Sequence, residues 1–269
     1  MPVSYTPYDN DSVDVDPESP IFHMHLSRYW WARQQASGAA VLDCASGKGY
    51  GTFILAAAAR SALGIDLNSE SLAMARRAFQ RPNLEYRMHD VLRVRELDRR
   101  FGLITAFEII EHIEAGETDR FLKDLAACLQ PGGKLLLSTP NHTVVTRSGS
   151  MVPEYHINNF TPRRLRHTLL RHFSGVTLLG QFRTGGPLYR TLFAMDVWNL
   201  RHVAGRPLRA LLGRTPPEAA AGERAAGAGS LTAAGYFEAP PAACRDYRFS
   251  RWHWRQAGIT VAVCEAPRP

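Results

Sequence analysis

From Ala39 onward short apolar runs alternate with amphipathic stretches, strand pattern followed by helix pattern. AAVLDC (39–44), ALGIDL (62–67), NLEYRMHD (83–90), FGLITAFE (101–108) and GKLLLSTP (133–140) read as strands. YGTFILAAAA (50–59), SESLAMARRAF (69–79) and ETDRFLKDLAACL (117–129) read as the helices between them. Asn68 or Ser69 caps the second of these helices, and Pro131-Gly132-Gly133 ends the third. Strands joined through helices imply right-handed crossovers and a parallel sheet. The strands are almost continuously apolar, which fits a sheet covered on both faces. A longer loop (141–160), a helix from Thr161-Pro162 to about Phe173, a strand at VTLLGQFR (176–183), a helical stretch at 187–203 and a last strand at GITVAVCEA (258–266) complete the pattern. The expected architecture is a Rossmann-like α/β fold, doubly wound around a mostly parallel seven-stranded sheet.

Ahead of that pattern, residues 9–18 (DNDSVDVDPE) are acidic, contain proline and lack apolar periodicity, as a loose tail does. Ser19-Pro20 then suits a helix start, with serine capping and proline in the first turn. Ile21, Met24, Leu26 and Trp30 would share one broad face of a covering helix. The chain therefore divides into a tail and covering helix (1–36) and a main domain (37–269) that carries a cap-like insertion (184–250) before its last strand. Within that insertion, Arg214 to Gly235 is mostly alanine, glycine and proline, and mobility is expected there. No internal repeat is visible.

Composition narrows the classes. A hydrophobic fraction of 45% and a charged fraction of 21% are those of an ordinary globular protein. No apolar run approaches the roughly 20 residues that span a bilayer, and the N-terminus has no export pattern, so a cytoplasmic location is expected. Cys44, Cys128, Cys244 and Cys264 lie far apart without a CxxC pair, which argues against a zinc knuckle and a disulfide framework. The net charge of +7 raises the weight of nucleic acid as a partner. Against this, the arginines are dispersed (Arg93, Arg95, Arg99 and Arg100 in one loop, Arg163, Arg164, Arg166 and Arg171 on one helix), and no basic run is interleaved with aromatics. A small-molecule or glycan partner is favoured over nucleic acid, and the oligomeric state is not written in the sequence.

The chemistry starts at the first strand–helix join, Asp43-Cys44-Ala45-Ser46-Gly47-Lys48-Gly49. Glycines there let the backbone approach a ligand, and a helix N-terminus offers free amides. Asp66 ends the second strand, 23 residues after Asp43, where a carboxylate can accept both hydroxyls of a ribose. Asp90 ends the third strand. The spacing is neither the GxGxxG dinucleotide fingerprint nor the GxxxxGK[ST] phosphate loop. The D-x-A-x-G-x-G run resembles motif I of class I S-adenosylmethionine-dependent methyltransferases, with Ala45 where the first glycine commonly stands. With Asp66, Asp90 and the Pro131-Gly132-Gly133-Lys134-Leu135 lead into the fifth strand, the resemblance covers about residues 39–183. It implies S-adenosylmethionine as cofactor. The turn of Asp43, Ala45, Gly47 and Gly49 would cradle the methionine part, Asp66 with Leu67 the ribose, and Asp90 with Val91 the adenine.

Methyl transfer to a hydroxyl needs alignment with the sulfonium methyl and a way to remove the proton. After the fourth strand the chain reads Glu108-Ile109-Ile110-Glu111-His112, whose Glu108, Glu111 and His112 would share one side of a helical turn. His156 follows in Glu154-Tyr155-His156-Ile157-Asn158-Asn159. This E-x-x-E-H plus a later histidine resembles small-RNA 3′-end 2′-O-methyltransferases and ubiquinone-pathway O-methyltransferases. The resemblance implies that Glu108, Glu111, His112 and His156 bind Mg²⁺ or another divalent cation. Two other readings stand beside it. His112 or His156, with Glu111, would act as a metal-free general acid–base set, or the glutamates would cap a turn and line the cofactor edge, Glu108 foremost. The function expected is O-methylation of a small-molecule or sugar hydroxyl; the alternatives are methylation of a terminal ribose of RNA and non-catalytic adenosylmethionine binding.

Overall fold

The computed structural model describes residues 16, 19–149, 151–183, 234–251, 255 and 257–267. Helix α1 (Pro20–Arg33) precedes β1 (Ala40–Cys44), α2 (Tyr50–Ala56), β2 (Ser61–Asp66), α3 (Ser69–Ala78), β3 (Leu84–Met88), β4 (Phe101–Phe107), α4 (Thr118–Ala127) and β5 (Leu129–Pro140). There follow α5 (His142–Ser148), α6 (Pro162–Leu169), β6 (Phe173–Arg183), β7 (Tyr247–Ser250) and β8 (Ile259–Pro267). One sheet takes all the strands in the order β3-β2-β1-β4-β5-β8-β6-β7. β1 to β5 pair in parallel, and β8 runs antiparallel between β5 and β6.

The Rossmann-like, mostly parallel architecture is as expected, with eight strands among the described residues in place of seven. The added strand β7 is the four-residue YRFS, antiparallel to Gly180–Arg183 at the sheet edge. A run so short and polar has no strand periodicity of its own; pairing with β6 makes it a strand. Pro131-Gly132-Gly133 does not simply end α4. It lies inside β5, where the pairing with β4 shifts register between Phe101 and Leu103 and Gly132 takes a φ of 75°. The loop expected at 141–160 contains α5, capped by Asn141, whose side chain accepts from the Thr143 N–H. None of its residues is buried, so it has no apolar stripe to betray it. The helical stretch at 187–203 and the Ala/Gly/Pro run up to residue 233 lie outside the described residues.

Alternating strand residues feed two cores, one per sheet face. Leu42, Ile65, Ile104, Leu135 and Leu137 meet Phe121, Leu122 and Leu125 of α4 and Leu165 and Leu169 of α6. Val41, Leu103 and Leu136 face the other way, onto α1, α2 and α3. Helix α1 starts as its sequence suggests, with the Ser19 hydroxyl accepting from the Phe22 N–H. Its buried face is the expected one only in part: Leu26 is buried and Met24 and Trp30 pack against the core, but Ile21 is 59% exposed and Phe22, Tyr29 and Ala32 enter the core as well. The register is set by Tyr29, whose ring covers Gly51 of α2 so closely that a Cβ there would lie 2.1 Å from it. The four cysteines are free and buried, and no helix among the described residues is long and apolar enough to cross a membrane.

Candidate active site

The C-terminal ends of β1, β2 and β3 bring the glycine turn, Asp66 and Asp90 to one edge of the sheet. Ala45, Gly47 and Gly49 all hold left-handed backbone, with φ of 58°, 50° and 85°. The Gly47 N–H donates to Asp66 Oδ2 at 2.7 Å and the Asn68 N–H to Oδ1 at 2.8 Å, so Asp66 ties the turn to the end of β2. Burial raises the Asp66 pKa, partly offset by these amides. Leu67 follows, half-buried. Asp90 Oδ1 accepts from the Leu92 N–H at 2.8 Å and opens a 3₁₀ turn in which Val91 is buried.

Asp43 occupies a different setting. It is completely buried and accepts from Thr105 Oγ1 at 2.6 Å, Thr52 Oγ1 at 2.7 Å and the Tyr29 hydroxyl at 3.3 Å. Its carboxylate thus joins β1 to β4, α2 and α1 just behind the turn. Burial pushes its pKa up to about 6, with the hydroxyl donors pulling the other way.

After β4 the chain breaks helical geometry. Glu108 has a φ of 53°, and only Ile110–His112 form a 3₁₀ turn. The expected single helical turn for Glu108, Glu111 and His112 is therefore not formed, because Glu108 sits in left-handed backbone ahead of it, though its charge still reaches both. Glu108 Oε1 accepts from Ser138 Oγ at 2.6 Å and lies 3.8 Å from Arg28 Nη2. Glu111, His112 and His156 do converge, with one ligand atom from each all within 4.8 Å of one another. Glu111 is 1% exposed, and among the described residues its carboxylate oxygens make no hydrogen bond of good geometry, although the Thr139 hydroxyl and its own backbone N–H lie near enough to favour the charged form. Burial holds its pKa well above the carboxylate range, and the Glu108 charge adds to this. Burial lowers the His112 pKa, against the pull of Glu108. The His112 and His156 rings meet edge to face at 5.0 Å, and Tyr155 stacks on His112 at 5.6 Å.

Asn158, undistinguished in the sequence, is the latch that brings His156 there. It is buried; its Nδ2 donates to the Ile113 carbonyl and Thr118 Oγ1, its Oδ1 accepts from Arg164 Nη2, and its N–H donates to the Glu111 carbonyl. Arg28 of α1 is equally inconspicuous in the sequence. Its side chain is fully buried, with Nη1 donating to Gln181 Oε1 at 2.8 Å. An arginine on the buried turn between Leu26 and Tyr29 was the one available signal. Of the other histidines, His23 meets the Tyr236 hydroxyl at 3.3 Å and His89 the Arg93 carbonyl at 2.9 Å.

These residues fit S-adenosylmethionine. The turn is glycine-built where a Cβ on Gly49 would lie 2.4 Å from Ala75, carboxylates end β2 and β3, and a buried guanidinium with unused N–H groups lies alongside. Residues 41–133 match the methyltransferase domain family. A probable S-adenosylmethionine-dependent methyltransferase of Mycobacterium tuberculosis is 27% identical over 216 residues, 77% of this chain and 74% of the relative. A ubiquinone biosynthesis O-methyltransferase of Coxiella burnetii is 28% identical over 148 residues, 54% of this chain and 62% of the relative. The N-methyltransferase NodS of Bradyrhizobium japonicum WM9, solved with S-adenosyl-L-homocysteine, shares the fold with a TM-score of 0.50 at 15% identity, covering 62% of this chain and 81% of NodS. Motif, sheet order and relatives agree on the cofactor, and residues 41–133 carry a methyltransferase domain similar to those of S-adenosylmethionine-dependent methyltransferases.

Proposed function

We propose that the chain transfers the methyl group of S-adenosylmethionine to a hydroxyl of a small molecule or glycan, and that Glu111, His112 and His156 hold a divalent cation such as Mg²⁺ beside the acceptor. The observation that carries this reading is the convergence of the buried Glu111 carboxylate with two imidazoles, one ligand atom from each lying within 4.8 Å of the others. A buried carboxylate is costly unless protonated or paired with a cation. One carboxylate and two imidazoles make a mixed oxygen–nitrogen donor set that suits a divalent metal. When bound, the cation would supply Lewis acidity that lowers the pKa of an acceptor hydroxyl. Glu111 would be kept ionised by it, and the depressed basicity of His112 keeps that ring neutral and able to donate its lone pair. The Coxiella relative, an O-methyltransferase by name, supports oxygen as the acceptor atom. The buried free thiols suit a reducing compartment, and a cytoplasmic setting is part of this reading.

The test is methyl transfer against a panel of sugars, catechols and short RNAs, with Mg²⁺ or with EDTA, accompanied by titration of Mg²⁺ and Mn²⁺ into the protein. We expect diol methylation that EDTA abolishes. Glu111→Gln and His156→Ala should lose cation binding yet bind S-adenosylhomocysteine normally. Full activity in EDTA would remove the cation and hand the proton to a histidine. Methylation of RNA ends alone would replace the acceptor.

A further inference from the structure

We propose that the chain carries a second ligand site, a cleft between the end of α1 and the segment that enters β7. The ligand that fits it is a nucleoside diphosphate, free or as the head of a nucleotide-activated sugar. The site is separate from the cofactor and from the residues around Glu111.

The sequence scatters its arginines and shows no basic run interleaved with aromatics, but the fold assembles such a surface. Trp30, Trp31 and Arg33 come from the last turns of α1, and Arg245, Arg248 and Phe249 from the 3₁₀ turn Ala242–Asp246 and from β7. Together they line a cleft of about 720 Å³, a volume within the range of small-molecule sites. Ser37, which leads into β1, and Ala58, which leads out of α2, line it as well. The cleft therefore extends to the N-terminal edge of the strands, whereas the glycine turn stands at their C-terminal edge. Helix α1 separates the two. Arg28 reaches toward Glu108 and Tyr29 donates to Asp43, while the next residues, Trp30 and Trp31, line the cleft.

The lining holds three guanidiniums and no acidic side chain. Among the described residues none of the three is paired with a carboxylate. Arg33 lies over the Trp30 ring, 4.9 Å from its centroid, Arg248 donates to the Tyr247 carbonyl at 3.5 Å, and Arg245 is exposed. Cations gathered in one cleft without an anion repel one another, and phosphate oxygens relieve that while using the forked donors. Three such groups call for more than one phosphate charge, hence a diphosphate. The aromatic part of the lining calls for a flat ring. Trp31 and Phe249 stack at 4.9 Å with planes 22° apart, next to a half-buried Trp30 whose indole N–H has no hydrogen-bond partner. Aromatic faces beside guanidiniums are what a nucleobase stacks on, and the spare indole donor suits the acceptors of a base or ribose.

The experiment is calorimetric binding by the full chain saturated with S-adenosylhomocysteine, which fills the cofactor site. The ligands are ADP, UDP, UDP-glucose, inorganic pyrophosphate and a short single-stranded RNA. ADP and UDP should bind, with pyrophosphate roughly 10-fold weaker because it has no base to stack. Arg33→Gln and Arg245→Gln should each weaken ADP roughly 10-fold, the size of one lost charge-assisted bond. Phe249→Leu should weaken ADP and leave pyrophosphate unchanged. S-adenosylhomocysteine binding should be the same in all three variants, which shows that each is folded. UDP-glucose binding at least as tightly as UDP supports the activated sugar as the source, and weaker binding supports the free nucleotide. No nucleotide binding once the cofactor site is filled, or binding that none of the substitutions changes, would overturn the site. Pyrophosphate as tight as ADP would reduce the cleft to an anion patch, and RNA far tighter than ADP would make it a strand-binding groove. Either result overturns the nucleotide.

Discussion

Two residues of the turn region illustrate how much conformation and burial demand of single positions. Gly49 combines a φ of 85° with a Cβ direction blocked by Ala75 at 2.4 Å and Tyr86 at 2.9 Å. Gly49→Ala adds left-handed strain to overpacking, and we expect it to cost about 3 kcal/mol or more in urea unfolding. Asp43 has the opposite character: it is polar, buried and satisfied, and burial raises its pKa from 3.8 to about 6. Between those values the native state keeps a proton that the unfolded chain releases, so stability falls as pH rises through the window. The Asp43 contribution is at most about 3 kcal/mol. Asp66 and Glu111 are shifted in the same direction, so the wild-type slope contains all three. The difference isolates Asp43: Asp43→Asn should unfold with a flatter pH dependence from about pH 4 to 6, and an unchanged slope would contradict the buried-acid account.

At the scale of elements, Asn158 joins the short 3₁₀ turn Ile110–His112 to the segment around His156, alongside the ring contacts of His112 with Tyr155 and His156. Asn158→Ala leaves the Ile113 carbonyl, Thr118 and Arg164 without that partner. We expect a loss of about 2–3 kcal/mol in thermal unfolding and faster amide exchange across residues 151–160. Elements with their own periodicity were legible: β1 to β5 and the helices between them fall within a few residues of where the pattern put them. β7 and α5 were not, because a four-residue edge strand and a helix that buries nothing are defined by neighbours and caps, not by an apolar stripe. The buried face of α1 departs in part from its pattern, at Ile21, Phe22 and Tyr29, for a related reason. Its apolar residues run all the way round, and contact with Gly51 and Asp43 decides which of them turn inward.

For the whole molecule, a cofactor that binds only the folded chain must stabilise all of it. S-adenosylhomocysteine at a hundred times its Kd should add about 2.7 kcal/mol to the unfolding free energy, read as a rise of several degrees in Tm. No shift at that concentration would count against binding. The sequence alone determined the α/β architecture and the placement of the glycine turn, Asp66 and Asp90 at the ends of β1, β2 and β3. Strand periodicity is local, and a parallel sheet delivers successive strand ends to one edge whatever else the chain does. Only the tertiary structure decided that Glu108 leaves the helical turn of Glu111 and His112 while its charge still acts on both, that His156 joins them, and that Arg28 is buried from α1 against Gln181. The first depends on a backbone angle that a glutamate rarely adopts. The other two depend on contacts across 45 and 153 residues of chain, Asn158 with Ile113 and Arg28 with Gln181, for which no local pattern of apolar and polar residues can stand.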